Sequence, residues 1–210
     1  MRSITLAQAS VFAALAMLLL TGYYLVDNAA LLQEAPVLAL AGSAIPSLIW
    51  SGFFFSVYRR PSSAKPAAWI TLVFAVFLEA AVVCIRFQQS VSYWTPFGSA
   101  LSLSGWLLRL GWALFLISFA LNKNHQRTRQ VALALAILSA PSALSTAYDV
   151  FNNGIGFLVG DTPSTAYWRA LITPVIRTIY WLSQILFLWT VWRNPETRDP
   201  VETLSAHLEP

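Results

Sequence analysis

The sequence predicts an all-α, polytopic integral membrane protein, a bundle of six transmembrane helices packed as three antiparallel hairpins. Hydrophobic residues make up 57% of the chain and charged residues only 10%, whereas soluble domains are about 25% charged. Apolar stretches of about 20 residues recur along the chain, and each is long enough to cross a ~30 Å hydrocarbon core. The connections between them are short, which favours antiparallel neighbours.

Six predicted spans account for most of the chain. They cover Ile4–Val26, Pro36–Tyr58, Ala67–Phe87, Phe97–Leu121, Val131–Phe151 and Tyr167–Trp192. The first follows Arg2, as a secretory signal peptide would, but its apolar core from Val11 to Val26 exceeds the ~7–15 residues of such a segment. We therefore interpret it as a retained helix. Residues 1–193 form the transmembrane domain, and residues 194–210 form a polar cytoplasmic tail that we expect to be poorly ordered.

Lysine and arginine residues in the loops predict the orientation of the bundle. Nine of the thirteen fall on one side of the six-span arrangement, and an excess of basic residues marks the cytoplasmic side. These nine are Arg2, Arg59, Arg60, Lys65, Lys123, Arg127, Arg129, Arg193 and Arg198. The sequence therefore predicts a multi-pass protein of the inner (cell) membrane with both termini in the cytoplasm.

The longest predicted connection is the glycine-rich segment Asn152–Ala166, which joins the fifth and sixth spans on the outer side. Its apolar centre at Phe157, Leu158 and Val159 is compatible with three structures: a lid, a re-entrant or interfacial turn, and a plain loop on the headgroups. The pattern does not choose among them.

Charged residues inside the spans indicate where a site would form. The third span carries Glu79 and Arg86, the fourth Arg109 and the sixth Arg177, while Asp149 ends the fifth. A charge near the bilayer centre costs about 3 kcal/mol or more unless it is paired or hydrated. At 1.5 Å per residue, Glu79, Arg109 and Arg177 all fall near the midplane. We therefore expect these side chains to face the bundle interior.

Aromatic and amide side chains accompany the charges. Trp106 and Trp112 lie three residues on either side of Arg109, so either ring is close enough in sequence to stack on the guanidinium. Tyr180, Trp181 and Gln184 share the predicted face of Arg177. The two acids, Glu79 and Asp149, leave at least one arginine without an acidic partner. Such a guanidinium requires water, carbonyl groups, an aromatic face or an anionic ligand.

Two hypotheses follow for these residues. In the first, an interior pocket lined by helices three to six binds or transports a small anionic or amphipathic ligand. In the second, Glu79 pairs with Arg109 or Arg177 and the charges only fix the packing of the helices, in a sensor or accessory subunit that contacts a partner membrane protein. The second predicts that a stripe of small and polar residues on helix two faces outward, namely Gly42, Ser43, Ser47 and Ser51.

Other functional classes find little support in the sequence. The two histidines, His125 and His207, lie in a loop and in the tail, so no cofactor, haem or metal site is expected. Motifs for serine hydrolases, metalloproteases and P-loop NTPases are absent, and no catalytic residue is predicted. A lipid-acting enzyme that uses Glu79 as a lone acid or base is a third interpretation. Topology explains the dispersed basic residues, so no nucleic-acid partner is expected.

Overall fold

A computed structural model describes the backbone of residues 4–27, 44–59, 64–89, 96–121, 125–159 and 165–193, and the side chains of 4–27, 44–59, 64–78, 105–121, 126–155 and 169–193. These ranges contain six helices, which confirms the all-helical class. They are α1 (Leu6–Asp27), α2 (Ile45–Arg59), α3 (Ala64–Gln89), α4 (Pro96–Leu121), α5 (His125–Val159) and α6 (Thr165–Arg193). The predicted tail and the first eight residues of the predicted second span (36–43), which include Gly42 and Ser43, lie outside them.

The helices form a closed ring in chain order. Each helix packs against the next in sequence, and α6 packs against α1. The contact between α5 and α6 is the most extensive, and hydrogen bonds at both of its ends show that the pair is antiparallel. Arg129 Nε donates to the Trp192 carbonyl at 2.6 Å, and Asn153 Nδ2 donates to the Ala170 carbonyl at 2.8 Å.

Polar contacts between α1 and α6 close the ring and define its two ends. The Tyr23 and Thr173 hydroxyls share a hydrogen bond, and Arg169 Nε lies 3.3 Å from Asp27 Oδ1. The end of α1 and the start of α6 therefore lie together, at what we call the distal end. At the opposite, proximal end, α5 begins where α4 and α6 end.

Small residues allow the helices to approach closely. On α5, Ala132, Ala136, Ser139 and Ala143 are buried at helical spacing along one face. Gly111 of α4 faces the same helix, because a Cβ added there would lie 2.8 Å from Leu135 Cδ1. Small residues bring helices together in a bilayer, where no hydrophobic effect drives one helix against another.

Aromatic side chains from α2, α4 and α6 fill the proximal half of the ring. We call this group, Phe53, Phe54, Phe115, Phe119 and Phe187, the aromatic core; all five are buried. The ring of Phe187 packs edge to face against Phe54 at 5.0 Å and against Phe115 at 6.0 Å between centroids. Such pairs contribute about 0.5–1.5 kcal/mol each beyond the area they bury. The aromatic core therefore holds α2, α4 and α6 together in the proximal half of the ring.

The outer surface of the ring is apolar. Large hydrophobic side chains are exposed on all six helices, among them Phe12, Leu48, Phe77, Leu114 and Leu144. By length and composition, three stretches could cross a membrane: Leu6–Asp27, Gln126–Ile155 and Arg169–Arg193. The described side chains of α3 and α4 form shorter apolar stretches of 15 and 17 residues, although both helices extend over 26 residues. A membrane location agrees with these features.

Several predicted boundaries were wrong. Helix α5 continues to Val159 and α6 begins at Thr165, so Asp149 does not end the fifth helix and most of the Asn152–Ala166 connection is helical. Hydropathy falls after Phe151, but backbone hydrogen bonds do not depend on hydropathy. The hydrogen bond from Asn153 to α6 also holds this polar turn against its neighbour. Helices α5 and α6 continue through Pro141 and Pro174, so neither proline ends its helix.

Candidate functional site

A cavity of about 550 Å³ lies directly distal to the aromatic core. Most of its wall residues on α4 and α6 precede the core phenylalanines in helices that run toward the proximal end, and Leu116 of α4 lies next to Phe115. On α2, Trp50 likewise precedes Phe53 and meets Trp112 of α4 edge to face at 5.1 Å. Trp50 and Trp112 thus separate the cavity from the core and form its floor. A volume of 300–1,000 Å³ is typical of small-molecule sites.

Six of the predicted site residues line this cavity. They are Trp106, Arg109, Trp112, Tyr180, Trp181 and Gln184. Helices α3 and α5 contribute Phe74 and Ser142, among others, so the predicted four helices all take part. The wall also includes Met17 of α1 and Trp50 of α2, which the sequence did not assign to the site.

Gln184 provides a buried amide at the cavity wall. The residue is 1% exposed, and its Nε2 has no hydrogen-bond partner among the described residues. A buried donor without a partner costs about 1–3 kcal/mol, and such a group in a native fold calls for an explanation. An acceptor atom of a bound ligand would satisfy this donor.

Arg109 supplies the cationic group of the cavity. Its Cζ lies 5.8 Å from the centroid of the Trp106 ring, which is within the range of a cation–π contact. Trp112 instead packs against Trp50 and against Phe115 at 5.6 Å. The two tryptophans that flank Arg109 in sequence therefore have different surroundings: Trp106 contacts the charge, and Trp112 belongs to the floor.

Arg177 lies outside the cavity, at the contact between α1 and α6. Its Nε donates to the Tyr24 hydroxyl at 3.1 Å, and its Cζ lies 5.9 Å from the Tyr24 ring. Arg177 and Gln184 share a helical face, but seven residues separate them by about 10 Å along the axis. Arg177 therefore belongs to the contact between α1 and α6 and not to the wall of the cavity.

The remaining predicted site residues are the acids Asp149 and Glu79 and the base Arg86. Asp149 is exposed on α5, seven residues beyond the cavity residue Ser142. The backbone of α3 passes through Glu79 and Arg86, but their side chains lie outside the described set. Glu79 directly follows Leu78, which lines the cavity. The pairing of Glu79 with Arg109 or Arg177 stays a prediction.

The charge count made from the sequence overlooked one ion pair. Asp27, which directly follows the predicted first span, is the last residue of α1 and pairs with Arg169 of α6. The two residues are 142 positions apart, so no local pattern could have linked them. The pair lies at the distal end and leaves the predicted charge balance of the interior unchanged.

No family model, curated protein or solved structure matches this chain. Among the described side chains, no group of three or more His, Cys, Asp or Glu residues is placed to hold a metal ion. The cavity offers a guanidinium, an amide, hydroxyl groups and aromatic faces. This set suits recognition of an anionic or hydrogen-bond-accepting ligand.

Proposed function

We propose that this protein is an integral membrane protein that binds a small anionic or amphipathic molecule in the cavity, for transport or for sensing. The observation that carries the proposal is the buried Nε2 of Gln184, a donor without a described partner, in a cavity that also contains Arg109. A guanidinium and an amide donor together recognise a carboxylate or a phosphate. The aromatic wall would bury the rest of the ligand.

The alternative role, as an accessory subunit with purely structural charges, gains less support from helix α2. It predicts an outward-facing polar stripe, but Ser51 is buried and its Oγ donates to the Ala14 carbonyl of α1 at 3.4 Å. This part of the stripe packs α2 against α1 instead of presenting a surface to a partner. We therefore favour ligand binding over an assembly role.

We further propose that all six helices span the inner membrane, with both termini in the cytoplasm. In support, the start of α1 and the end of α6 both lie at the proximal end, where Arg59, Arg129 and Arg193 also lie. Reporter domains fused before Met1 and after Pro210 should both be active in the cytoplasm, and a reporter inserted after Asp161 should be active outside. Activity of the two terminal fusions on opposite sides would contradict the topology.

Thermal unfolding of the detergent-purified protein tests the binding function. We would add acetate, butyrate, dodecanoate, inorganic phosphate and anionic lipids one at a time. A ligand at 100 times its dissociation constant stabilises the folded state by about 2.7 kcal/mol. At least one anion should raise the midpoint of the wild type, and the shift should vanish in Arg109→Gln and Gln184→Leu.

Two controls separate binding from folding. Arg193→Gln removes an exposed arginine at the proximal end, and Ser183→Ala removes a buried hydroxyl next to Gln184 that already bonds the Tyr180 carbonyl. Both should keep the ligand-induced shift. If no anion stabilises the wild type and Arg109→Gln only melts earlier, the charges hold the bundle together and the proposal fails.

A further inference from the structure

Beside the cavity, helices α3 and α4 carry exposed apolar side chains of the kind that face lipid. On α3, the exposed large residues Ile70, Val73 and Phe77 follow a helical stripe, and on α4 Leu107 and Leu114 do the same. Side chains of this kind on the outside of a membrane bundle face the acyl chains. The two helices are neighbours in the ring, so their stripes form one apolar face.

The cavity shares residues with this apolar face. Val76 and Leu110 are 58% and 57% exposed, and both line the cavity that also includes the buried Gln184. Trp106, which contacts Arg109, is likewise both exposed and part of the wall. A cavity whose wall runs from a fully buried amide to exposed aliphatic side chains has its mouth on that face. The mouth therefore lies on the α3–α4 side of the bundle.

We infer that the ligand is a single-chain anionic amphiphile of the fatty-acid type, and this inference rests on the proposed function. The ligand enters sideways from the bilayer, between α3 and α4. Its carboxylate lies at Arg109 and accepts a hydrogen bond from Gln184 Nε2. Its chain lies along Phe74 and Leu110 toward the mouth. A small soluble anion would not use the aliphatic part of the wall, whereas each buried methylene group adds to the affinity of an acyl chain.

The chemistry of the ligand is tested with four probes on protein in lipid nanodiscs: dodecanoate, dodecyl phosphate, dodecanol and butyrate. Dodecanoate should bind at least about tenfold more tightly than butyrate, because it has the longer chain, and than dodecanol, because it has the charge. Arg109→Gln should remove the preference for dodecanoate over dodecanol. Dodecyl phosphate shows whether the head-group site accepts phosphate as well as carboxylate. If dodecanoate binds more weakly than dodecanol, the assignment of an anionic head group is wrong.

The sideways route is tested by narrowing the mouth. In Val76→Trp/Leu110→Trp, dodecanoate should associate at least about tenfold more slowly than in the wild type. The matched control is Val73→Trp/Leu114→Trp, which adds the same bulk to exposed positions of the same helices outside the cavity. This control should bind at the wild-type rate. Both proteins must show the wild-type elution volume in size-exclusion chromatography before rates are compared.

The outcomes separate this inference from the function on which it rests. If butyrate binds as tightly as dodecanoate, the site exists but the ligand is not an amphiphile. If the narrowed variant binds at the wild-type rate, the ligand enters by another path and the inferred route is wrong. If no probe binds the wild type, the proposed function itself fails.

Discussion

The buried amide of Gln184 is the feature of the structure that most directly supports the proposed binding function. The amide lies beside the cavity and its Nε2 has no described partner, although an apolar side chain of similar size would pack there without that cost. Proteins keep such unfavourable groups mainly where a ligand or a reaction uses them. In the proposed function, an acceptor atom of the bound ligand would satisfy this donor and stabilise the folded protein.

Gln184→Leu should accordingly stabilise the ligand-free protein while it abolishes binding. Removing an unsatisfied buried donor recovers about 1–3 kcal/mol, so the thermal midpoint in detergent should rise. Ser183→Ala is the matched control, because the Ser183 hydroxyl already bonds the Tyr180 carbonyl, and it should not raise the midpoint. A fall in the midpoint of Gln184→Leu would mean that the amide is satisfied in the folded protein.

Gly111 sets the distance between α4 and α5. In Gly111→Leu the new side chain would collide with Leu135, which is itself buried and has little room to move. We expect a loss of about 1–3 kcal/mol, as for other overpacked cores. Gly22→Leu should cost far less, because no atom lies within 4 Å of a Cβ there. If Gly111→Leu and Gly22→Leu unfold at the same temperature, the two helices do not pack this closely.

The sequence located the site residues only in part. Arg109 and Trp106 were predicted from charge and spacing, because a cation–π contact between residues three apart is a local property of a helix. Arg177 was predicted to belong to the same site, but it contacts Tyr24 instead, and this contact depends on the packing of α1 against α6. The unsatisfied amide of Gln184 is a property of its three-dimensional surroundings. No spacing rule could reveal it.

At the scale of the helices, the ends of α5 and α6 secure the most extensive contact of the ring. Arg129 Nε bonds the carbonyl of Trp192, one of the last residues of α6, where a cation also interacts favourably with the helix dipole. Helix ends fray when their last carbonyl groups lose such partners. This single side chain therefore connects the start of α5 to the end of α6.

Arg129→Gln should loosen the last turn of α6 without unfolding the bundle. We expect a loss of about 1 kcal/mol in local stability, seen as faster hydrogen exchange of the backbone amides in the last turn, 190–193. Exchange in the turn that contains Gln184 should stay unchanged. Gln130→Ala, an exposed neighbouring position, is the control. Equal exchange in wild type and Arg129→Gln would show that the hydrogen bond contributes nothing to this end.

Helix boundaries show what hydropathy can and cannot predict. The observed α4 and α6 begin and end within two residues of their predicted spans, because apolar residues there continue to the helix ends. Helix α5 exceeds its predicted span at both ends, by the polar segment His125–Gln130 and by Asn152–Val159, which begins with two asparagines and a glycine. These segments are held by α6 through Arg129 and Asn153. Long-range contacts of this kind are not visible in a local window.

At the scale of the whole molecule, the proposed binding site requires that the six helices form a closed ring. The sequence predicted three hairpins from the short connections but could not say that α1 meets α6. The shared hydrogen bond of Tyr23 and Thr173, with the Asp27–Arg169 pair, makes that closure. Closure matters for the proposed binding function because α1 and α6 both contribute to the cavity wall, through Met17 and Gln184.

Cysteine cross-linking tests the closure. In a Cys84→Ser background, Tyr23→Cys and Thr173→Cys should be joined within one chain by a short bifunctional thiol reagent, in membranes and at low protein density. The pair Tyr23→Cys and Trp69→Cys, with Trp69 near the start of α3, should not react because the two positions lie toward opposite ends of the bundle. A cross-link that appears only between two chains would contradict a ring closed within the monomer.

Native mass spectrometry of the purified protein incubated with dodecanoate tests whether an amphiphile binds in the cavity. We expect one dodecanoate bound per wild-type chain and a much lower occupancy on Gln184→Leu and on Arg109→Gln, while Ser183→Ala retains the wild-type occupancy. Equal occupancy of all four proteins would mean that the amphiphile binds to the apolar outer surface and not in the cavity. That result would contradict ligand binding in the cavity.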